Sequence, residues 1–325
     1  MRTLVTGGAG YIGSVAVAVL LERGHDVVVL DNIERGHRDA VALDAHLVPC
    51  DLRDREATVA AVRGANADAI LHFAALHLVP ESVQNPDAYY RTNVVGGINV
   101  LDAVKEAGIA RFVFSSTAAV YGEPESLPIR EDSPTRPINP YGHSKLMVER
   151  MLCDYSERYG FSHAIFRYFN VAGAKGDLGE DHRPETHIIP LAIEAVTGKR
   201  SAFTVFGTDY GTEDGTAVRD YVHVVDLVEA HILALEKLDA SLGTMNLGTR
   251  NGFSVRQMVE AVELTTDREL PVAYGPRRAG DPPALVADSS TARRVLGWDP
   301  VHSTLDQMIG SHWDWVREHP NGYAK

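Results

Sequence analysis

The chain of 325 residues has only two cysteines, Cys50 and Cys153, far apart in sequence. They cannot form a disulfide framework, and two reduced thiols are expected. Positive charge is also in short supply. Lysine and arginine total 31 against 44 acidic residues, a formal charge of −13, which argues against a nucleic-acid or anionic-membrane surface. Any phosphate site must therefore be built locally from a few arginines and backbone amides. No long apolar run is present: the longest aliphatic stretch, 15–21, falls far short of a membrane span. Strand-like sequence begins at Arg2, so no signal peptide is expected and the chain reads as cytoplasmic. Internal repeats and low-complexity tracts are absent as well.

What is there is an alternation of short β-branched runs with amphipathic stretches. The strands are expected at 3–6, 26–31, 46–50, 69–73, 111–116 and 163–168. Helices are expected between them at 11–23, 55–63, 86–107 and 140–159. Such alternation predicts an α/β fold, a doubly wound parallel sheet of Rossmann type. The strands are continuously apolar, as burial on both faces requires. After Asn170 the texture turns Gly-, Asp- and Pro-rich. A nucleotide-binding domain is expected over 1–170 and a smaller substrate-binding domain over 171–325. The strand-then-helix sequence of 222–247 leaves its return to the first domain open.

Gly7-Gly8-Ala9-Gly10-Tyr11-Ile12-Gly13 follows the first strand and opens the first helix. Gly7 and Gly10 would let a pyrophosphate approach the backbone and rest on the helix N-terminus, while Gly13 would let helix and strand pack closely. Asp31 ends the second strand where a ribose diol would be held. A carboxylate there favours NAD over its 2′-phosphorylated form. Asn32 follows it. Asp51, before Leu52, is either an adenine contact or a turn aspartate. The fourth strand ends in His72-Phe73-Ala74-Ala75, where small residues leave room for a cofactor. The fifth ends in Ser115-Ser116-Thr117, on the same side as the glycine loop.

Tyr141 and Lys145 lie one turn apart on the helix that Asn139 and Pro140 would start and Gly160 would end. A phenol with a pKa of ~10 is a poor base at neutral pH. A neighbouring cation would favour its phenolate. The bland alternative is an apolar stripe with a snorkelling lysine.

With these motifs in hand, the chain closely resembles the extended short-chain dehydrogenase/reductase family, and within it the NAD-dependent UDP-sugar 4-epimerases. The resemblance runs almost the whole length. It rests on His72-Phe73-Ala74-Ala75, the 115–122 stretch, Pro140-Tyr141-Gly142-His143-Ser144-Lys145, Arg167-Tyr168-Phe169-Asn170, the 215–223 stretch and the 276–281 stretch. It implies interconversion of UDP-glucose and UDP-galactose through a 4-keto sugar with bound NAD. In this reading Tyr141 is the base, Lys145 binds the nicotinamide ribose and tunes Tyr141, and Thr117 bonds the sugar oxygen. Cofactor contacts are expected from Gly7, Gly10, Tyr11, Ile12, Gly13, Asp31, Asn32, Asp51, Leu52, Phe73, Ala74, Ala75, His77, Asn93, Ser115 and Tyr168, besides Tyr141 and Lys145. Asn170, His187, Arg219, Arg278 and Asp281 are expected on the UDP-sugar, with Arg277 a surface charge. A homodimer through the helices at 86–107 and 140–159 is implied.

Three positions depart from the family pattern. His77 stands where some members place a lysine near the cofactor phosphates, and His187 replaces an asparagine at the sugar position. Leu285 is intermediate in size where the family side chain decides whether an N-acetyl group fits, so UDP-N-acetylhexosamines and UDP-pentoses stay open. Dehydratases of the same fold follow the threonine with Asp-Glu to eliminate water, whereas this chain has Ala118 and Ala119, which move no proton. A non-catalytic NAD sensor would need neither Tyr141 nor Lys145. The 180–187 stretch carries histidines and carboxylates without regular ligand spacing, and no metal is expected there.

Overall fold

The computed structural model describes residues 1–278 and 281–323. Ala279 and Gly280, inside the 276–281 stretch, lie outside the described residues. The large sheet contains β1 (Arg2–Thr6), β2 (Asp26–Asp31), β3 (His46–Pro49), β4 (Ala69–His72), β5 (Arg111–Thr117) and β6 (Ser162–Tyr168). A seventh strand, Gly243–Leu247, lies outside β6, giving the order Gly243–Leu247, β6, β5, β4, β1, β2, β3. Every pairing in this sheet is parallel, with Thr6 beside both Leu30 and His72. This is the doubly wound Rossmann-type sheet that the alternating pattern predicts.

Side-chain alternation along each strand divides the core between the two faces. Val5, Leu71 and Val113 face one layer, built on α1 (Tyr11–Glu22) and the helix Val224–Lys237. Leu4, Ile70, Phe112 and Phe114 face the other. That layer is built on α2 (Arg55–Ala65) and on α5 and α6, described below. Continuous apolar strands arise because both faces are covered.

The helix expected over 86–107 forms as one continuous helical run with a π-helical turn inside it. The short helix α3 (Val79–Gln84) precedes it, and the run itself consists of α4 (Pro86–Tyr89), the π-helical turn Tyr90–Val95 and α5 (Gly96–Ala107). The wide turn buries Asn93, whose amide donates to the Leu76 carbonyl (2.9 Å) and Ser144 Oγ (2.9 Å) and accepts from the Leu76 amide (2.8 Å). A buried amide with all three bonds made is a reason to distort a helix locally.

The long helix α6 (Pro140–Tyr159) starts where Asn139 Oδ1 accepts from the Gly142 amide at 2.9 Å and ends at Gly160, whose φ is +78°. It is locked to the sheet by a buried polar network. Arg167 on β6 forks onto both carboxylate oxygens of Glu149, the shortest contact being 2.6 Å, and Ser116 on β5 donates to the same carboxylate. Arg167 also donates to the Tyr121 hydroxyl (3.1 Å), which donates to Asn246 on the seventh strand (2.7 Å).

Outside the large sheet, short strands and the helices Ile188–Val196, Val255–Thr266 and Leu305–Glu318 surround a third core. Here Asn170–Ala172 pairs with Tyr221–His223.

Gly13 is the tightest point of the glycine loop, since a Cβ there would sit 2.1 Å from the Gly7 carbonyl oxygen. Gly13→Ala is expected to cost about 2–4 kcal/mol, because backbone rather than a flexible side chain must move. Urea denaturation of the ligand-free protein measures it.

Candidate functional site

The carboxyl ends of β1, β2, β4 and β5 open into a cavity of about 370 Å³. Gly10 precedes α1 with no side-chain cap, so the first-turn amides of α1 have no partner within the helix. Gly10, Tyr11, Ile12 and Gly13 line the cavity, and a Cβ on Gly10 would press to 3.4 Å on Gly7. Uncapped amides with no side chain over them fit a pyrophosphate. Asp31 also lines the cavity, its carboxylate accepting from the Ala9 amide (3.0 Å) and the Ile33 amide (2.8 Å). Its pKa is raised, chiefly by burial, although these amides oppose the rise.

Gly7, Asn32, Asp51, Leu52, Phe73, Ala74, Ala75, His77 and Tyr168 share this wall. Asp51 lies on the cavity and also makes a turn, accepting from the Arg53 amide (2.9 Å) and pairing with its guanidinium (2.6 Å). The α2 cap falls to Asp54 instead. Two expected contacts do not reach the wall as side chains. Asn93 is spent on Leu76 and Ser144. The Ser115 hydroxyl bonds His231 Nε2 (2.9 Å), because His231 Nδ1 is committed to the Leu227 carbonyl (2.8 Å).

At the inner end stand Thr117, Tyr141 and Lys145. The Lys145 ammonium donates to the Ser115 carbonyl at 2.8 Å and sits 4.9 Å from the centre of the Phe114 ring. Burial pulls its pKa down to about 7, with Glu149 one turn along opposing the fall. Burial pushes Tyr141 up to about 12, partly offset by a hydrogen bond with Thr117. The ammonium is held at a backbone carbonyl. Thr117 Oγ1 accepts from the Ala119 amide (3.1 Å), which leaves its own proton free to donate.

A second cavity, about 630 Å³, adjoins the first, and Asn170, Val171, Glu180 and His187 line both. Arg219, Arg278 and Asp281 lie on its wall. Arg219 pairs with Asp281, Arg278 lies 4.1 Å from the centre of the Phe206 ring, and the Asn170 amide donates to the Asp220 carbonyl (2.8 Å). Arg277 is turned away, bonded to Asp209 (2.7 Å) over Tyr210. Leu285 packs with Ala118 and Phe169 against Val120 and Tyr121.

Between the cavities the fold brings His77 to the acidic, histidine-rich 180–187 stretch. Glu180, almost fully buried, accepts from His187 Nδ1 (2.8 Å) and His182 Nδ1 (3.0 Å), and His187 also meets Glu185 (2.9 Å). The two carboxylates hold His187 well above the usual imidazole range against its burial, and the imidazoles hold Glu180 well below the carboxylate range. His182 was not expected at the site. Its only signal was its place in a polar stretch without metal spacing, and the sequence could not show that His77 folds onto it, at 4.7 Å between rings.

The model of the NAD dependent epimerase/dehydratase family matches residues 3–248. The chain belongs to that family. A curated UDP-glucose 4-epimerase from Lactobacillus helveticus is 48% identical over 99% of each chain. A crystal structure of a UDP-glucose 4-epimerase superposes with a TM-score of 0.97 at 47% identity, covering 99% of both chains. The Bifidobacterium longum UDP-glucose 4-epimerase, crystallised with NAD+ and UDP, gives a TM-score of 0.93 at 36% identity over 99% of this chain and 100% of its own.

The depressed Lys145 pKa has a consequence for stability. Between about 7 and its ordinary 10.5 the unfolded chain holds a proton that the folded chain does not, so this group makes stability rise with pH. Lys145→Met is expected to flatten that rise in the ligand-free protein and to leave Tm at neutral pH unchanged or higher. Thermal melts across that pH interval measure it.

Proposed function

We propose that the protein is a UDP-glucose 4-epimerase, interconverting UDP-glucose and UDP-galactose with tightly held NAD. The observation that carries this reading is the meeting of two cavities at Asn170, Val171, Glu180 and His187, with Thr117 and Tyr141 on the wall of the first. A glycine-loop pocket lies on one side and an arginine-lined pocket on the other. The relatives at 48% and 47% identity over nearly the full chain support it. The glycine loop, Asp31, Asp51 and Lys145 would hold NAD. Arg219 and Arg278 would hold the UDP diphosphate, since a guanidinium fork matches phosphate oxygens. Asp281, Asn170 and His187 complete that pocket.

When bound, NAD+ supplies a hydride acceptor and a positive charge beside Tyr141. Thr117, with one lone pair taken by the Ala119 amide, donates to the sugar oxygen and orients it. Tyr141 removes the 4-hydroxyl proton in one direction and returns it in the other. Ala118 and Ala119 supply no second acid, so the 4-keto sugar is not drawn into elimination. The sugar turns over while the UDP group stays anchored, which presents its other face to the same tyrosine. His77 and His187 are proposed as phosphate- and sugar-side contacts in place of the lysine and asparagine of other members.

We also read the chain as two domains, 1–170 with 222–247 and the remainder. The protein is proposed to be cytoplasmic and homodimeric. Val95 and Met147, exposed on the π-helical turn and on α6, support pairing through these helices.

UDP-galactose supplied alone should yield UDP-glucose. Tyr141→Phe should keep its bound NAD, read by absorbance after denaturation, and lose about 10³-fold in turnover. Full turnover by that variant would overturn the assignment. Relative turnover of UDP-galactose, UDP-N-acetylgalactosamine and UDP-xylose sets the sugar range, with UDP-galactose expected to be fastest.

A further inference from the structure

Tyr323 is only 7% exposed although it stands two residues from the end of the chain. Terminal residues fray unless something ties them down. Here the ties lead to the cofactor loop. The phenol oxygen accepts from the Gly179 amide at 3.0 Å, and the Tyr323 amide donates to the Asp181 carboxylate at 3.0 Å. Gly322, at φ +73°, lets the tail pass so close that a Cβ would meet Asp181 Oδ2 at 2.2 Å. The Tyr323 ring belongs to a small core with Ala40, Ala174 and Trp315, separate from the three large ones.

The other face of the ring stacks on His37, with 4.8 Å between centres and 27° between planes. His37 is fixed at both ends: Nε2 bonds the Asp181 carbonyl (2.8 Å) and its amide donates to the Ala9 carbonyl (2.9 Å). Gly36 lies so close to the glycine loop that a Cβ would reach Ala9 O at 2.6 Å. An unbroken chain of contacts thus runs from Tyr323 through His37 to Ala9, inside the loop that cradles the pyrophosphate. The stretch that precedes His37 lines the cofactor cavity through Asn32, Glu34, Arg35 and Gly36.

We propose that Tyr323 is a positioning residue for the cofactor: by stacking on His37 and gripping Gly179 and Asp181, it clamps the 32–37 loop over the cavity and slows NAD release. The proposal rests on the NAD reading above. Tyr323 lines neither the Thr117–Tyr141 end nor the arginine pocket, so it acts on retention of the cofactor and not on proton transfer.

The test follows release of NAD+ from the loaded protein into excess alcohol dehydrogenase and ethanol, which convert free NAD+ to NADH. Tyr323→Ala should release NAD+ about tenfold faster, while turnover of UDP-galactose at saturating NAD+ stays within about twofold of the unmodified protein. Tyr323→Phe keeps the stack and should restore most of the retention. His37→Ala should speed release similarly, and the double variant should add little, because either change alone already removes the Tyr323–His37 stack that holds the loop. Release from Tyr323→Ala at the unmodified rate, with or without a lower Tm, would overturn the clamp. So would effects of the two changes that simply multiply. If Tyr323→Ala does not fold, His37→Ala carries the same test from the loop side, and unmodified release there overturns the proposal. Uptake by the unmodified protein is read first: no uptake sinks the cofactor reading and the clamp together, whereas uptake with equal release sinks the clamp alone.

Discussion

The seating of α6 on β5 and β6 is the constraint on which the site depends. Glu149 and Arg167 form a buried, forked ion pair, and Ser116 adds its hydroxyl to the same carboxylate. Removing one member would strand a buried charge, so the pair holds one register even where its net contribution to stability is small. One turn back along α6, Lys145 reaches the Ser115 carbonyl, and one turn further Tyr141 meets Thr117. Three consecutive residues of β5 are thus each matched to a successive turn of the helix. A slip of α6 by one residue would rotate all three partners away together.

This seating also explains the resting electrostatics. In the ligand-free pocket burial raises the pKa of Tyr141 and lowers that of Lys145. The carboxylates and imidazoles of Glu180, Glu185, His182 and His187 form a second charged cluster where the two cavities meet, and its charges satisfy one another. Likewise Arg219 pairs with Asp281. Both clusters keep ionised groups available at a cavity wall without leaving any of these partners stranded, which a low-dielectric interior would penalise.

Much of the architecture was legible along the chain. The six strands and the glycine loop follow from apolar runs and punctuation, and Asn139 and Gly160 bracket α6 as capping chemistry demands. What local pattern did not show is tertiary in origin. The helix expected over 86–107 forms but widens at a π-helical turn, where Asn93 is drawn into bonds with Leu76 and Ser144, residues that periodicity does not connect to it. The same capture takes Asn93 off the cavity wall. Ser115 leaves the wall because His231, more than a hundred residues away, takes its hydroxyl. His182 joins the wall because folding brings the 180–187 stretch against His77.

The sequence by itself determined the residue types, their local geometry and the side of the sheet they occupy, since strand and helix periods depend on near neighbours. Tertiary structure alone decided who bonds whom: the Ser115 carbonyl as the partner of the Lys145 ammonium, and the last turn of the chain packed on His37. Those pairings depend on burial and on distances between segments far apart in sequence. Both arise only when the sheet, its two layers and the C-terminal tail close around one another.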